Sequence, residues 1–329
     1  MGVHSEAAHA VSLSRSHPEL RPREAPTAAL DSVGASLISC YTLPCISKLP
    51  SLFFKSVAGG VELKLTSMNV QELKETVVSI LRTAGEELMK GYGNVASFDK
   101  KSDAATDIVT DFDRKTEEFI KKELATYFPG ESFYGEEFGG ERSGTFWLLD
   151  PIDGTGHYVR GMPFCSTMLT FIKENQVVFS AINSFPFGKI YVAAKGDGAY
   201  CNGEPIHVSD RSLRGAYIAV EINQSLSEFN KEAAVKLRER AAVVNTITAG
   251  YEFAMTAEGR LDGRVQVDPY GDIYDFAVGS LLVSEAGGAV ANIGCPRGVY
   301  DYRNLSFLST NKKVFEELTE GSEAIFSLH

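Results

Sequence analysis

The sequence predicts a layered fold of mixed α and β structure with two subdomains, and three observations lead to this prediction. Amphipathic helical patterns come first, over about 70–127. A block of apolar runs separated by turn residues follows, over about 132–195, and helical and strand patterns then alternate to the end. Helices segregated from a run of strands indicate packed layers of α and β structure. The 329 residues, 44% of them hydrophobic, suffice for a sizeable core.

Residues 1–67 differ from the rest of the chain. They mix Ser, Pro, Ala, His and Arg without sustained periodicity. Three interpretations compete: a disordered extension, a targeting segment, or translated sequence upstream of a start at Met68. Transit peptides are poor in acidic residues, so Glu19 and Glu24 count against the second. We predict a disordered extension or a non-native start, followed by a folded domain over 68–329.

Helical patterns begin directly after this extension. Apolar residues recur on one helical face over 70–88, Asn69 with Glu72 resembles a capping box, and Gly91 ends the run. A second helix follows Thr110 and stops at a Pro-Gly pair. The sequence therefore predicts two helices ahead of the strand block.

Short apolar runs bounded by turn residues predict strands over 132–134, 146–149, 167–173, 177–184 and 190–195. Later helical patterns predict helices over 226–240, 274–286 and 314–326. This order favours subdomains of about 68–208 and 209–329, joined near 205–213.

Composition excludes several functions. The net charge of -11 makes binding to nucleic acid or an anionic membrane surface unfavourable. No apolar run of about 18 residues occurs, so we expect no transmembrane helix. The five cysteines are widely spaced and odd in number, which favours a reducing, cytoplasmic location without disulfides or a zinc site.

The most informative segment runs from Trp147 to Gly156. Apolar residues suited to a buried strand break at Pro151, and Asp150 and Asp153 stand three positions apart around the break. The following Gly-Thr-Gly can present backbone amides at a helix start. Carboxylates hold hard divalent cations, and such amides hold phosphate. The alternative is an acidic turn in which Asp150 caps the next helix.

Three other acidic segments can complete such a site, and each also has a structural interpretation. Glu136 and Glu137 follow a short strand, where a solvated acidic loop is the alternative. Asp275 and Asp113 stand near predicted helix starts, where an acid complements the helix dipole or caps the first turn. The residues alone do not decide between these interpretations.

Taken together, the motifs resemble those of the inositol monophosphatase family in order and spacing, from about residue 70 to the C-terminus. The matching segments are Asp107-Ile-Val-Thr110 with Asp113, Gly135-Glu-Glu137, Asp150-Pro-Ile-Asp-Gly-Thr155, Tyr274-Asp-Phe-Ala277 and Glu285-Ala-Gly-Gly288.

The resemblance implies a fold, an activity and partners. The fold is a layered α/β/α/β/α sandwich of the sugar-phosphatase type. The activity is Mg²⁺-dependent hydrolysis of inositol 1-phosphate or a related small polyol or sugar phosphate, by attack of a metal-activated water. All-oxygen ligands suit Mg²⁺. We expect a homodimer, with neither nucleic acid nor a membrane as partner.

It also implies roles for individual residues. The metal ligands it implies are Glu136, Asp150, Asp153, Asp275 and the backbone carbonyl of Ile152. Thr155 with Asp113 resembles the family's water-activating pair. The implied substrate contacts are Gly154, Thr155, Ala249 and Asp268.

Departures from the family pattern leave the substrate open. The stretch over 246–250 is altered, and Asp272 stands where many members have His. Both lie where we expect substrate to be selected. The alternatives are the branch that also hydrolyses fructose 1,6-bisphosphate, a nucleotide 3′-phosphatase, and a non-catalytic binder of metal or sugar phosphate. A haloacid-dehalogenase phosphatase is disfavoured because Lys115 stands where that motif has Thr or Val.

Overall fold

The computed structural model describes residues 69–101, 108–221, 228–267, 269, 271–297 and 299–328. The predictions that concern residues 1–67, Asp107 and Asp268 lie outside these residues. No helix within them is long and apolar enough to cross a membrane.

The described part of the chain contains seven α-helices and one short 3₁₀ turn at Phe185–Phe187. The helices are α1 Val70–Gly91, α2 Asp111–Tyr127, α3 Thr155–Val159, α4 Glu228–Arg240, α5 Ala249–Ala257, α6 Ile273–Glu285 and α7 Lys312–Thr319. The predicted capping box at the start of α1 is confirmed: the Asn69 side chain accepts from the Glu72 amide, and the Glu72 side chain accepts from the Asn69 amide.

The predicted helix over 314–326 is wrong at its C-terminal end. Helix α7 ends at Thr319, and Gly321 has a positive φ of 78°. The chain then turns back, so that the amides of Ile325 and Phe326 donate to the Leu318 carbonyl at 2.9 and 3.0 Å. The apolar residues that extended the helical pattern pack after this turn.

Fifteen strands form three sheets among the described residues. A two-stranded sheet pairs β1 Asp99–Lys100 with β2 Ile108–Val109. An eight-stranded sheet contains β3 Ser132–Gly135, β4 Gly139–Gly140, β5 Phe146–Asp153, β6 Ser166–Lys173, β7 Gln176–Ser184, β8 Lys189–Ala194, β9 Gly198–Cys201 and β10 Glu204–Pro205. Its order is β10-β9-β8-β7-β6-β5-β3-β4, antiparallel except for the parallel pair β3–β5. The five predicted strands of this block are confirmed.

A five-stranded sheet follows in the order β12-β11-β13-β15-β14. Its strands are β11 Tyr217–Glu221, β12 Ala242–Asn245, β13 Gly263–Gln266, β14 Ala289–Asn292 and β15 Phe307–Thr310. Strand β11 is parallel to both of its neighbours, β12 and β13.

The helices and the two large sheets stack in five layers. Helices α1 and α2 bury one face of the eight-stranded sheet, where Leu81 packs with Phe171. Helices α5 and α6 lie between the sheets, with Phe253 and Leu282 in one cluster with residues of both. Helices α4 and α7 cover the outer face of the five-stranded sheet. The predicted α/β/α/β/α arrangement is confirmed.

Candidate active site

Strand β5 delivers two carboxylates to one end of the eight-stranded sheet. All eight residues of this strand are buried, and Asp150 and Asp153 are 2% and 8% exposed. The pairing with β6 shifts register between these two residues. A bulge of this kind accommodates Pro151, which has no amide to donate. The Thr167 hydroxyl donates to the Pro151 carbonyl at 2.9 Å and so stabilises the break.

The turn after β5 requires glycine. Gly154 has a φ of 80°, in the left-handed region. A Cβ atom there would also lie 2.6 Å from the Phe164 carbonyl oxygen and 2.7 Å from the Thr248 methyl group. The turn brings Thr155 to the first position of α3, directly beside the two aspartates.

Thr155 and Asp113 contact each other, as their predicted pairing requires. The Thr155 hydroxyl lies 2.9 Å from Asp113 Oδ1 and 3.0 Å from the Ile152 carbonyl. The other Asp113 oxygen accepts from the Thr110 amide at 2.8 Å and from the Thr110 hydroxyl at 2.6 Å. Asp113 therefore completes the capping box of α2 and also faces Thr155. Burial raises the pKa of Asp113.

Glu136 follows β3, and the side chains of Lys101 and Glu117 stabilise the loop that carries it. The Lys101 ammonium lies 2.7 Å from Glu136 and 2.6 Å from Glu137. Buried Glu117 accepts from the amides of Glu137 and Phe138 at 2.8 and 3.0 Å. The Glu117 carboxylate occupies the space where a Cβ would stand at residue 135, so a larger residue there would displace Glu117 from these amides.

Asp275 also combines a cap with a position in the site. Its carboxylate accepts from the Asp272 amide at 2.6 Å, which completes the capping box of α6. The same side chain lines the cavity described below. For Asp113 and Asp275, the capping interpretation and the site interpretation are therefore compatible.

The start of α5 contacts the β5 aspartates. The Gly250 amide donates to Asp153 at 2.8 Å, and Ala249 is buried beside it. The hydroxyl oxygen of Thr248, the residue before α5, is buried without a partner.

One cavity of about 980 Å³ joins these segments. It brings together predicted site residues from four separate parts of the chain; those that line it are Glu136, Asp150, Ile152, Asp153, Gly154, Thr155, Ala249 and Asp275. Asp113 reaches it through Thr155.

The carboxylates of this cavity are crowded; Asp150 and Asp153 are buried, and Glu136 and Asp275 are half-buried. Burial, followed by repulsion from neighbouring carboxylates, raises the pKa of Asp150 well above its ordinary value. Burial also raises the pKa of Asp153 to about 6 and that of Asp275 to about 7. One oxygen of Asp150, Oδ1, is buried with no hydrogen-bond partner. Each of these observations fits a site that a cation would stabilise.

In the described part of the chain, no three His, Cys, Asp or Glu side chains form a group that could hold a metal ion as they stand. The positive charge nearest Glu136 is the ammonium of Lys101. The orphaned Asp150 oxygen and the all-oxygen donor set nevertheless suit Mg²⁺.

Sequence reasoning missed several residues around the cavity, namely Lys101, Glu117, Glu221 and Arg264, and it missed the pairing of Arg264 with Glu252. Arg264 is 1% exposed and Glu252 is also 1% exposed. Charged residues are rarely buried unless they are paired, and no local pattern marks these two as partners. Their roles come from contacts between distant segments.

The chain matches known proteins over most of its length. The model of the inositol monophosphatase family matches residues 69–325. A fructose-1,6-bisphosphatase/inositol-1-monophosphatase of Aquifex aeolicus is 29% identical over 243 residues, covering 71% of this chain and 90% of that protein. Human inositol monophosphatase 1 is 27% identical over 260 residues, covering 75% and 92%. The structure of a Thermotoga maritima IMPase is similar, with a TM-score of 0.66 and 27% identity, over 75% of this chain and 95% of that one.

Proposed function

Since the chain belongs to the inositol monophosphatase family and is a phosphoric monoester hydrolase, we propose that it is a Mg²⁺-dependent phosphatase of inositol 1-phosphate or a related small polyol or sugar phosphate. The observation that carries this proposal is the buried oxygen of Asp150 that has no hydrogen-bond partner, in a cavity where the pKa values of Asp153 and Asp275 are raised. A cation would stabilise such a group, and a phosphate ester brings its own negative charge to the same cavity.

The residues proposed to hold metal are Glu136, Asp150, Asp153, Asp275 and the Ile152 carbonyl. When bound there, Mg²⁺ supplies a lowered pKa for the attacking water and neutralises charge on the leaving oxygen. Glu136 is available once its contact with Lys101 gives way to the metal.

The chain's own groups orient the reactants. The Thr155 hydroxyl directs its single hydrogen at Asp113 and the Ile152 carbonyl, so its oxygen is placed to accept a hydrogen bond from water. Asp113 is proposed to take the proton, since burial raises its pKa. The amides of Gly154 and Thr155 are proposed to face the phosphoryl oxygens. Positioning and charge neutralisation are the main requirements of phosphoryl transfer.

Fructose 1,6-bisphosphate is the second candidate substrate. The name of the Aquifex aeolicus relative includes both activities, and the match to this chain covers 90% of that protein. The homodimer, the cytoplasmic location, the domain start at Met68 and the substrate contact of Asp268 remain proposals as well.

The test is phosphate release from a panel of inositol, sugar and nucleotide phosphates, with Mg²⁺ and with excess EDTA. We expect release from a polyol or sugar phosphate with Mg²⁺ and none with EDTA. Full activity in EDTA would contradict the metal proposal. Preference for a nucleotide 3′-phosphate would contradict the substrate class.

A further inference from the structure

The wall of the cavity beyond the β5 carboxylates comes from the five-stranded sheet. Glu221 ends β11, and Arg264 lies in the adjacent parallel strand β13. Both line the same cavity as Asp150 and Asp153. Groups on this wall face whatever part of the substrate extends beyond the phosphoryl group.

Arg264 is held by groups of the protein. One terminal nitrogen donates to Glu252, and the other donates to Gln266 at 3.0 Å. Its guanidinium also lies 5.4 Å from the centroid of the Phe253 ring and 5.1 Å from that of Phe276. An arginine whose two terminal nitrogens are both hydrogen-bonded, with its planar face against aromatic rings, is restricted in its motion. Arg264 is therefore suited to orient a neighbour.

Glu221 is the neighbour that it orients. One Glu221 oxygen lies 3.6 Å from Arg264 Nη2, and the Glu221 side chain remains 16% exposed at the cavity. Burial raises the pKa of Glu221, and Arg264 opposes that effect. The carboxylate is thus held beside Arg264 by charge and keeps hydrogen-bonding capacity, which is what a donor from the substrate requires.

The charge of this wall disfavours a second phosphate. Buried Glu252 pairs with Arg264 and offsets its charge, so Glu221 leaves this wall net negative. Arg160 is the other arginine among the described lining residues, and its Nη1 donates to the Gly156 carbonyl at 2.6 Å near α3. A second phosphate group would therefore meet a like charge at the wall, whereas hydroxyl groups would meet an acceptor.

We infer that Glu221, oriented by Arg264, selects a substrate whose leaving group is uncharged and rich in hydroxyls, and that it disfavours a bisphosphate. This inference rests on the proposed function, and it chooses between the two candidate substrates.

The test compares Glu221→Gln and Glu221→Ala with the wild type and with Glu204→Gln, a change at an exposed glutamate of β10. Three substrates are used with Mg²⁺: inositol 1-phosphate, fructose 1,6-bisphosphate and p-nitrophenyl phosphate. For inositol 1-phosphate, we expect KM to rise about tenfold in Glu221→Ala, because a hydrogen bond to a charged group is lost. For p-nitrophenyl phosphate, kcat/KM should stay within about twofold. The ratio of bisphosphate to inositol phosphate turnover should rise in both variants.

The outcomes separate this inference from the proposed function. A wild type that hydrolyses none of the three esters with Mg²⁺ would overturn the proposed function and the inference with it. If the wild type hydrolyses them, two results for the Glu221 variants would overturn the inference alone. One is an equal loss of rate on all three esters, and the other is no loss of rate on any of them. Thermal melting of each variant identifies any that has lost its fold, and Glu221→Gln then serves as the milder change.

Discussion

The two large sheets contribute to the cavity in different ways. The eight-stranded sheet supplies Asp150 and Asp153, from one short run at a strand end. The five-stranded sheet supplies Glu221 and Arg264, from two strands 43 positions apart in the chain. The first group is proposed to act on the phosphoryl group, which all candidate substrates share. The second is proposed to face the part in which they differ.

This difference explains what could be read from the sequence. The strand end, the break at Pro151, the paired aspartates and Gly154 are contiguous, so their joint meaning is visible without a fold. The bulge that holds Pro151 and the contacts that require Gly154 then occur as local geometry demands. The local geometry at the end of β5 was therefore predictable, whereas its meeting with Glu136 and Asp275 was implied only by the family resemblance.

The cavity wall formed by Glu221 and Arg264 was not predictable in the same way. Arg264 pairs with Glu252 across 12 positions and lies near Glu221 across 43, and neither spacing belongs to a motif. Glu117 holds the loop after β3 from the middle of α2, where its sequence context is that of an ordinary surface acid. Such roles depend on tertiary contacts, which periodicity does not contain. The misplaced end of α7 has a related cause, since the residues after it are apolar but follow a turn.

The largest effect is expected from Asp150→Asn. If the eight-stranded sheet supplies the groups that act on the phosphoryl group, this change should lower kcat by about 10³-fold or more on every substrate, because it weakens a proposed metal ligand. The measurement is kcat with saturating Mg²⁺ on inositol 1-phosphate and p-nitrophenyl phosphate. A loss confined to one substrate would show that Asp150 selects substrate, as Glu221 is proposed to do. It would contradict the division of roles between the two sheets.

A large effect of pH on stability is expected for the metal-free protein. The pKa of Asp275 is raised by burial from 3.8 to about 7, so the folded state binds more protons than the unfolded state within that window. Stability should therefore fall as pH rises from 5 to 8, with a decrease in Tm on the order of 5 °C in EDTA. Saturating Mg²⁺ should reverse or remove this trend. The same falling trend with Mg²⁺ as with EDTA would show that the carboxylates do not bind the ion.

The ion pair between Arg264 of β13 and Glu252 of α5 should affect stability and substrate binding more than chemistry. Glu252 also accepts from the Thr246 hydroxyl at 2.8 Å and from the Ile247 amide at 2.5 Å. Removing one member of a buried pair costs about 3–5 kcal/mol, because the other charge stays buried. Glu252→Gln and Arg264→Met should each lower Tm by several degrees, and the double variant should lose less than the sum.

The kinetic part of this prediction uses the same three variants. In those that fold, KM for inositol 1-phosphate should rise while kcat for p-nitrophenyl phosphate changes little. Strict additivity of the two Tm losses would show that the two residues act independently. A large loss of kcat on both substrates would assign the pair to the shared chemistry.

The smallest effect is expected at Asp272, which the sequence placed among the residues that select substrate. The structure gives it a different position: its side chain accepts from the Ile273 amide at 2.6 Å at the start of α6, and it is not among the described residues that line the cavity. Asp272→Ala should cost about 1 kcal/mol of stability through loss of the cap. Asp272→Asn keeps a capping group and is the matched control, with a smaller expected loss.

Neither change should alter the ratio of kcat/KM between inositol 1-phosphate and fructose 1,6-bisphosphate by more than about twofold. If the ratio changes as much as it does in the Glu221 variants, the selective wall extends onto α6, the helix that carries Asp275. The residues that act on the phosphoryl group and those that select the substrate would then no longer belong to separate elements.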